Sequence, residues 1–204
     1  MMGEERIFFD SGALKIEGLL EKLSGDKGVV VTHPHPLYGG TMHNAVVKGI
    51  VRAYHDSGYS TFRFNFRGVE RSEGDYDHGI GEQEDVRSAV KYLAGLGREN
   101  IDLAGYSFGA WVNAIGLKTF EKVGRLIMVS PPVGLLNFDG LSADSRVRLV
   151  ITGDKDEIAP PKAVEEKVPD WNSEATYLIV PDADHFFNGK TDAIEAIIRE
   201  FLAA

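Results

Sequence analysis

The sequence contains no cysteine, which excludes disulfides, thiolate metal sites and any mechanism with a cysteine nucleophile. It has no run near the roughly 18 apolar residues that a membrane span needs, and no cluster of Lys and Arg that could form a basic face toward phosphates. Basic residues number 22 against 31 acidic ones, a formal charge of −9. Nucleic acid is therefore not an expected partner. The stretch MMGEERIFFD carries Glu4 and Glu5 where a secretory leader would be basic and then apolar, so a cytoplasmic protein away from membranes is expected. The rest of the composition is ordinary, with 43% hydrophobic and 26% charged residues in 204. That length supports one sizeable core, and residues 1–204 are read as a single domain.

Several short segments have strand character. RIFFD and LKIEGLL flank a turn at Ser11-Gly12 and suggest an antiparallel hairpin. GVVVTH (28–33), LIMVS (126–130) and RLVITG (148–153) are uninterrupted apolar runs, the mark of parallel strands buried on both faces. YSTFRFNF, IDLAGYS and ATYLIV add three more. Between the strands, Val46, Val47, Ile50, Val51 and Tyr54 share one helical face, and Val86, Ala89, Val90 and Leu93 another. A last helix, with Thr191 as its expected N-cap, aligns Ile194, Ile197, Ile198, Phe201 and Leu202. The pattern predicts an α/β fold: a doubly wound, mostly parallel sheet with helices on both faces and an N-terminal antiparallel hairpin.

One strand runs directly into Gly105-Tyr106-Ser107-Phe108-Gly109, and AWVNAIGLK continues as a helix. Strand, Gly-x-Ser-x-Gly and helix together form a sharp turn that projects the serine hydroxyl, with glycines where side chains would clash. The Phe108 amide would then lie at a helix start, where an acyl oxyanion develops. A serine hydroxyl needs an imidazole base, and the imidazole needs a carboxylate, in the chain order Ser, acid, His. Only His185 follows Ser107, so it is the expected base. The loop GDKDEIAP offers Asp154, Asp156 and Glu157. We favour Asp156 as the acid, because Asp154 is better placed to cap backbone amides at the strand end.

The second oxyanion amide should come from His33-Pro34-His35-Pro36-Leu37-Tyr38. The prolines have no N–H, which leaves His35, Leu37 and Tyr38, with Leu37 favoured. Two nearby imidazoles, His33 and His35, lack a third ligand for a metal, so hydrogen bonds that stiffen the loop are the expected role.

HPHPLYGGTM (33–42), FNFRGVERSEG (64–74), GYSFG, GDKDEIAP and DADHFF occur in this order along the chain. With them the chain resembles the α/β-hydrolase superfamily, and within it the small lidless group related to dienelactone hydrolase and short-chain carboxylesterases. The resemblance spans nearly all of the chain. It implies Ser107 as nucleophile, Asp156 as acid, His185 as base and the Phe108 amide in the oxyanion hole. Two positions depart from the pattern. Relatives usually carry glycine where this chain has Glu70, and dienelactone hydrolase has a cysteine nucleophile where this chain has Ser107.

Only fifteen residues, 131–145, separate the sixth strand from the seventh, too few for a cap domain. An open, shallow site is expected, lined by Leu37, Tyr38, Met42, Phe108, Leu136, Phe138 and Phe186, and suited to a small-molecule ester with a short acyl chain. No metal or organic cofactor is expected, and the protein should be a monomer or small homo-oligomer. A thioesterase or serine peptidase would use the same three groups. A non-catalytic binding module on this fold would be expected to lose one of them.

Overall fold

The computed structural model describes residues 3–204; the first two residues of the amino-terminal stretch considered above lie outside the described residues. Gly12, in the left-handed region at φ 60°, turns the chain between β1 (Glu5–Ser11) and β2 (Leu14–Glu21), which pair antiparallel. β2 then pairs antiparallel with β4 (Ser60–Phe64). From β4 onward every neighbour is parallel: β3 (Lys27–Thr32), β5 (Asn100–Tyr106), β6 (Val123–Val129), β7 (Val147–Gly153) and β8 (Thr176–Val180). The spatial order is β1-β2-β4-β3-β5-β6-β7-β8.

Successive strand residues point to opposite faces, so the apolar runs feed two cores. Val29 and Val31 join one, under α1 (Ala45–Asp56) and α5 (Thr191–Ala203); Val30 joins the other, under α2 (Ile80–Gly95), α3 (Phe108–Gly116) and α4 (Pro161–Trp171). This is the doubly wound arrangement read from the sequence.

Two details differ from that reading. Thr191 is the first residue of α5 and the N-cap position belongs to Lys190, a shift of one residue at a helix end. Helix α4 was not read at all. Residues 131–145 form turns with no helix or strand, so nothing regular is built over the carboxyl edge of the sheet at that point.

Candidate active site

β5 ends at Tyr106, and Ser107 takes φ 54° and ψ −118° before α3 begins. A non-glycine residue with positive φ is strained, and its neighbours explain why it is held. A Cβ at Gly105 would lie 2.6 Å from the Ala110 nitrogen, and one at Gly109 would lie 2.6 Å from Thr32 Oγ1. With glycine at both positions, the start of α3 packs directly on the end of β3. The Ser107 amide donates to the Val129 carbonyl at 2.9 Å and the Trp111 amide donates to the Ser107 carbonyl at 3.1 Å. Asn113 Nδ2 donates to Thr32 Oγ1 at 2.9 Å below the turn.

The serine hydroxyl lies 2.9 Å from His185 Nε2, and His185 Nδ1 lies 2.9 Å from both oxygens of Asp156. A carboxylate only accepts, so Nδ1 carries the proton and Nε2 is free to accept from the serine hydroxyl. All three residues are buried. Asp156 Oδ1 also accepts the amides of Ile158 at 2.9 Å and Ala159 at 2.7 Å. Burial pushes the Asp156 carboxyl up, but the hydrogen bond and charge of His185, with the Ala159 amide, outweigh it and hold the group below the ordinary carboxylate range.

The loops bearing Asp156 and His185 are pinned to each other. The Ala183 amide donates to Asp154 Oδ1 at 3.2 Å, and the Lys155 amide donates to the Ala183 carbonyl at 3.0 Å. Tyr106, the variable position of the serine turn, donates its hydroxyl to the His185 carbonyl at 2.7 Å. Burial, with Asp156 and Asp184 nearby, keeps its phenol neutral. Nothing in the sequence singled out this tyrosine; its contact spans 79 residues.

The loop after β3 departs from the expectation for its amides. The Leu37 N–H donates to His35 Nδ1 at 3.2 Å and is thereby taken, and the Tyr38 N–H donates to the His35 carbonyl at 3.1 Å. Of the three amides left open, only that of His35 has no acceptor among the described residues, and the same holds for Phe108. Their rings lie 4.7 Å apart between centroids.

His33 is fully buried. It donates from Nδ1 to the Pro34 carbonyl at 2.7 Å and accepts the Phe66 amide at Nε2 at 3.0 Å. Burial, against the pull of that carbonyl, brings its pKa down to about 4. His35 meets Leu37 with one nitrogen and Tyr76 with the other, so neither imidazole has a nitrogen left for a metal.

The expected lining divides in two. Leu37, Tyr38 and Phe186 are exposed at the rim, with Phe186 set edge-on to His185 at 5.7 Å. Met42 and Phe138 are not lining residues. Met42 is buried, its amide donated to Asn65 Oδ1 at 2.8 Å, and Phe138 packs on Trp171 at 5.1 Å. Leu136 is half-buried against the core, and Phe108 is buried with only its amide at the turn.

Glu70 adopts φ 50°, and its carboxylate accepts from Asn65 Nδ2 at 2.8 Å. It borders a cavity of about 370 Å³ between the 36–41 and 67–76 loops, which Leu37 and Tyr76 also line.

A mostly parallel sheet whose central strand delivers a strained serine to a helix start defines an α/β-hydrolase. No protein-family model matches the chain. Among curated proteins it is 31% identical to an uncharacterized protein of Rickettsia prowazekii (strain Madrid E), over 97% of this chain and 88% of that one. Among solved structures, an α/β serine hydrolase homologue from Coxiella burnetii matches with a TM-score of 0.91 at 33% identity, covering 99% of both chains. A Xanthomonas campestris member of the α/β serine hydrolases without lid matches with a TM-score of 0.90 at 31% identity, over 100% of this chain and 95% of that one. The chain belongs to this group of small α/β serine hydrolases without a lid. A Pyrococcus furiosus esterase, at 18% identity and a TM-score of 0.81, shares the fold.

Proposed function

We propose that the protein hydrolyses carboxylic esters of small or short-chain acyl substrates through an acyl-enzyme intermediate. The reading rests on one observation: the unbroken relay from the Ser107 hydroxyl through His185 to Asp156, with every link at 2.9 Å. Ser107 Oγ attacks the ester carbonyl while His185 Nε2 takes its proton, and Asp156 stabilises the resulting imidazolium. The carbonyl oxygen becomes an oxyanion, which the free amides of Phe108 and His35 receive. His185 then protonates the leaving alcohol. Water, deprotonated by the same nitrogen, attacks the acyl-serine and releases the acid.

The open carboxyl edge favours short acyl groups, or the accessible end of a larger molecule, over a long chain that needs a tunnel. Leu37, Tyr38 and Phe186 supply an apolar rim.

Treatment with a fluorophosphonate probe, mass spectrometry of the adduct and assay of short-chain p-nitrophenyl esters test the reading. The expected result is a single adduct on Ser107 and turnover that falls by several orders of magnitude in Ser107→Ala. Full turnover in that variant would sink it. A parallel panel of acyl thioesters and peptides decides among ester, thioester and peptide bonds by kcat/KM.

A further inference from the structure

His35 is held on every side except one. Its carbonyl accepts the amides of Tyr38 at 3.1 Å and Gly40 at 3.0 Å. Its side chain accepts the Leu37 amide at 3.2 Å, closing a one-residue step over Pro36. Behind it, the Pro34 carbonyl is taken by His33, and Gly40 packs so closely that a Cβ there would lie 2.0 Å from Pro34 O. The remaining backbone group is the His35 N–H, in a residue whose ring packs on that of Phe108.

The bond from Leu37 fixes the imidazole's protonation. An N–H donates to Nδ1, so Nδ1 is bare, and the neutral ring carries its proton on Nε2, which donates to the Tyr76 hydroxyl at 3.2 Å. An asparagine at this position could cap the turn equally well, but it could not also reach Tyr76. The imidazole therefore ties the 34–40 turn to the segment after β4. Protonation at Nδ1 would set a donor against the Leu37 donor and remove the side-chain bond that closes the turn.

We propose that His35 is the positioning residue of the oxyanion hole: its side chain, bare at Nδ1, closes the turn that aims its own amide at the developing oxyanion. The inference rests on the ester-hydrolysis reading for its kinetic consequence, but the arrangement of the ring does not. The groups that face this imidazole are Tyr38 on its own loop with ring centroids 4.9 Å apart, Tyr76 at 5.1 Å, His78 beyond Tyr76, His33 at the end of β3, and the ring of Phe108 from α3. Arg67, Glu70 and Asp75 line the adjoining cavity. Burial, and then the charge of His78, move His35 below the ordinary histidine range.

Three variants, His35→Ala, His35→Asn and His35→Phe, are compared on p-nitrophenyl acetate after their melting temperatures are matched to wild type. Loss of an aligned oxyanion donor costs about 10² to 10³ in kcat. His35→Ala is expected to lose kcat on that order, with KM changed less than about threefold. His35→Asn, which still accepts from the residue 37 amide, should recover at least about tenfold of the loss. His35→Phe fills the ring volume without an acceptor and should recover none. The acid side of the kcat profile should be steeper by one proton in wild type than in His35→Asn, because two imidazoles must then stay neutral.

Rescue by Phe and not by Asn, or an unchanged acid limb in His35→Asn, overturns the proposal and leaves His35 as packing alone. Nitrogen-15 NMR of the wild-type imidazoles supplies an arm that needs neither activity nor a folded variant. A bare Nδ1 on His35, scalar-coupled to the Leu37 amide, is expected; a protonated Nδ1 at neutral pH refutes it. Failure of the ester reading is seen separately, as turnover that survives in Ser107→Ala.

Discussion

Single side chains in this protein carry charge states that the sequence alone could not assign. His33 sits with no exposed surface, its ring against Phe66 at 4.7 Å. Both nitrogens are used in the neutral form, and the pKa falls from 6.5 to about 4. The folded state thus refuses a proton that the unfolded chain accepts. Stability from this residue is fully present above pH 6.5 and is lost as pH falls toward about 4, below which both states are protonated. The gap corresponds to about 3 kcal/mol. Urea unfolding of wild type and His33→Gln between pH 8 and pH 4 checks it. The variant should be less stable at neutral pH, and the two curves should converge as pH falls, since glutamine has no proton to refuse. Curves that stay parallel through that window would contradict the assignment.

Elements place these side chains through close backbone approaches, and glycine marks the places. At Gly109 a Cβ would meet Thr32 Oγ1 at 2.6 Å and the His33 carbonyl at 2.7 Å. Gly109→Ala should push α3 off β3, carrying the Phe108 amide and Ser107 with it. Overpacking of this kind costs about 1–3 kcal/mol, and a shift of about 1 Å in catalytic geometry costs on the order of 10² in rate. Gly95, at the end of α2, has nothing within 4 Å of a Cβ, so Gly95→Ala should keep wild-type turnover and melt no lower. A melting curve and a p-nitrophenyl acetate assay on both variants test the contrast; equal turnover in the two would defeat it.

The same distinction sets how much was legible in the sequence. Strands β3, β6 and β7 were readable because parallel strands buried on both faces give unbroken apolar runs. That Ser107, Asp156 and His185 would come together was legible because chemistry restricts the residue types and the fold restricts their order. Helix α4 was hidden. Its apolar stripe is only Val164, Val168 and Trp171 among charged residues, and Pro169 resembles a break although the helix continues two residues beyond it. The acceptor of the Leu37 amide, and the burial of Met42 with its amide bonded to Asn65 Oδ1, depend on contacts that no local spacing encodes.

At the scale of the whole molecule, the sheet separates chemistry at its carboxyl edge from structure at its amino edge. Asp102 lies near the start of β5, five residues before Ser107, or roughly 16 Å along the strand at 3.3 Å per residue. There it accepts from Arg125 of β6 at 2.8 Å and from the Tyr54 hydroxyl of α1 at 3.1 Å, while Arg125 also donates to the Tyr59 hydroxyl. Burial raises the Asp102 carboxyl, and Arg125 and Tyr54 reverse that only in part. A carboxylate held above its unfolded pKa costs stability at neutral pH and regains it as pH falls through the folded pKa. Arg125 gains from the same pairing, since the hydrogen bond and charge of Asp102 hold its guanidinium protonated, and the cluster ties α1, β5 and β6 together.

Two substitutions should then behave differently. Arg125→Met leaves the carboxylate buried without its cation, a change worth about 3–5 kcal/mol in fully buried pairs. The arginine side chain is 31% exposed, so the lower end is expected. Asp102→Asn keeps an oxygen for Arg125 and Tyr54 while removing the buried charge, and should cost less than about 1 kcal/mol. The double variant should be more stable than Arg125→Met alone, since the stranded charge is gone. Neither residue touches the relay at the other edge, so kcat on short-chain esters should stay within about twofold in all three, a long-range independence expected of sites more than about 10 Å apart. A fall in kcat that tracks Arg125→Met at a temperature where it remains folded would mean that the two edges of the sheet are coupled.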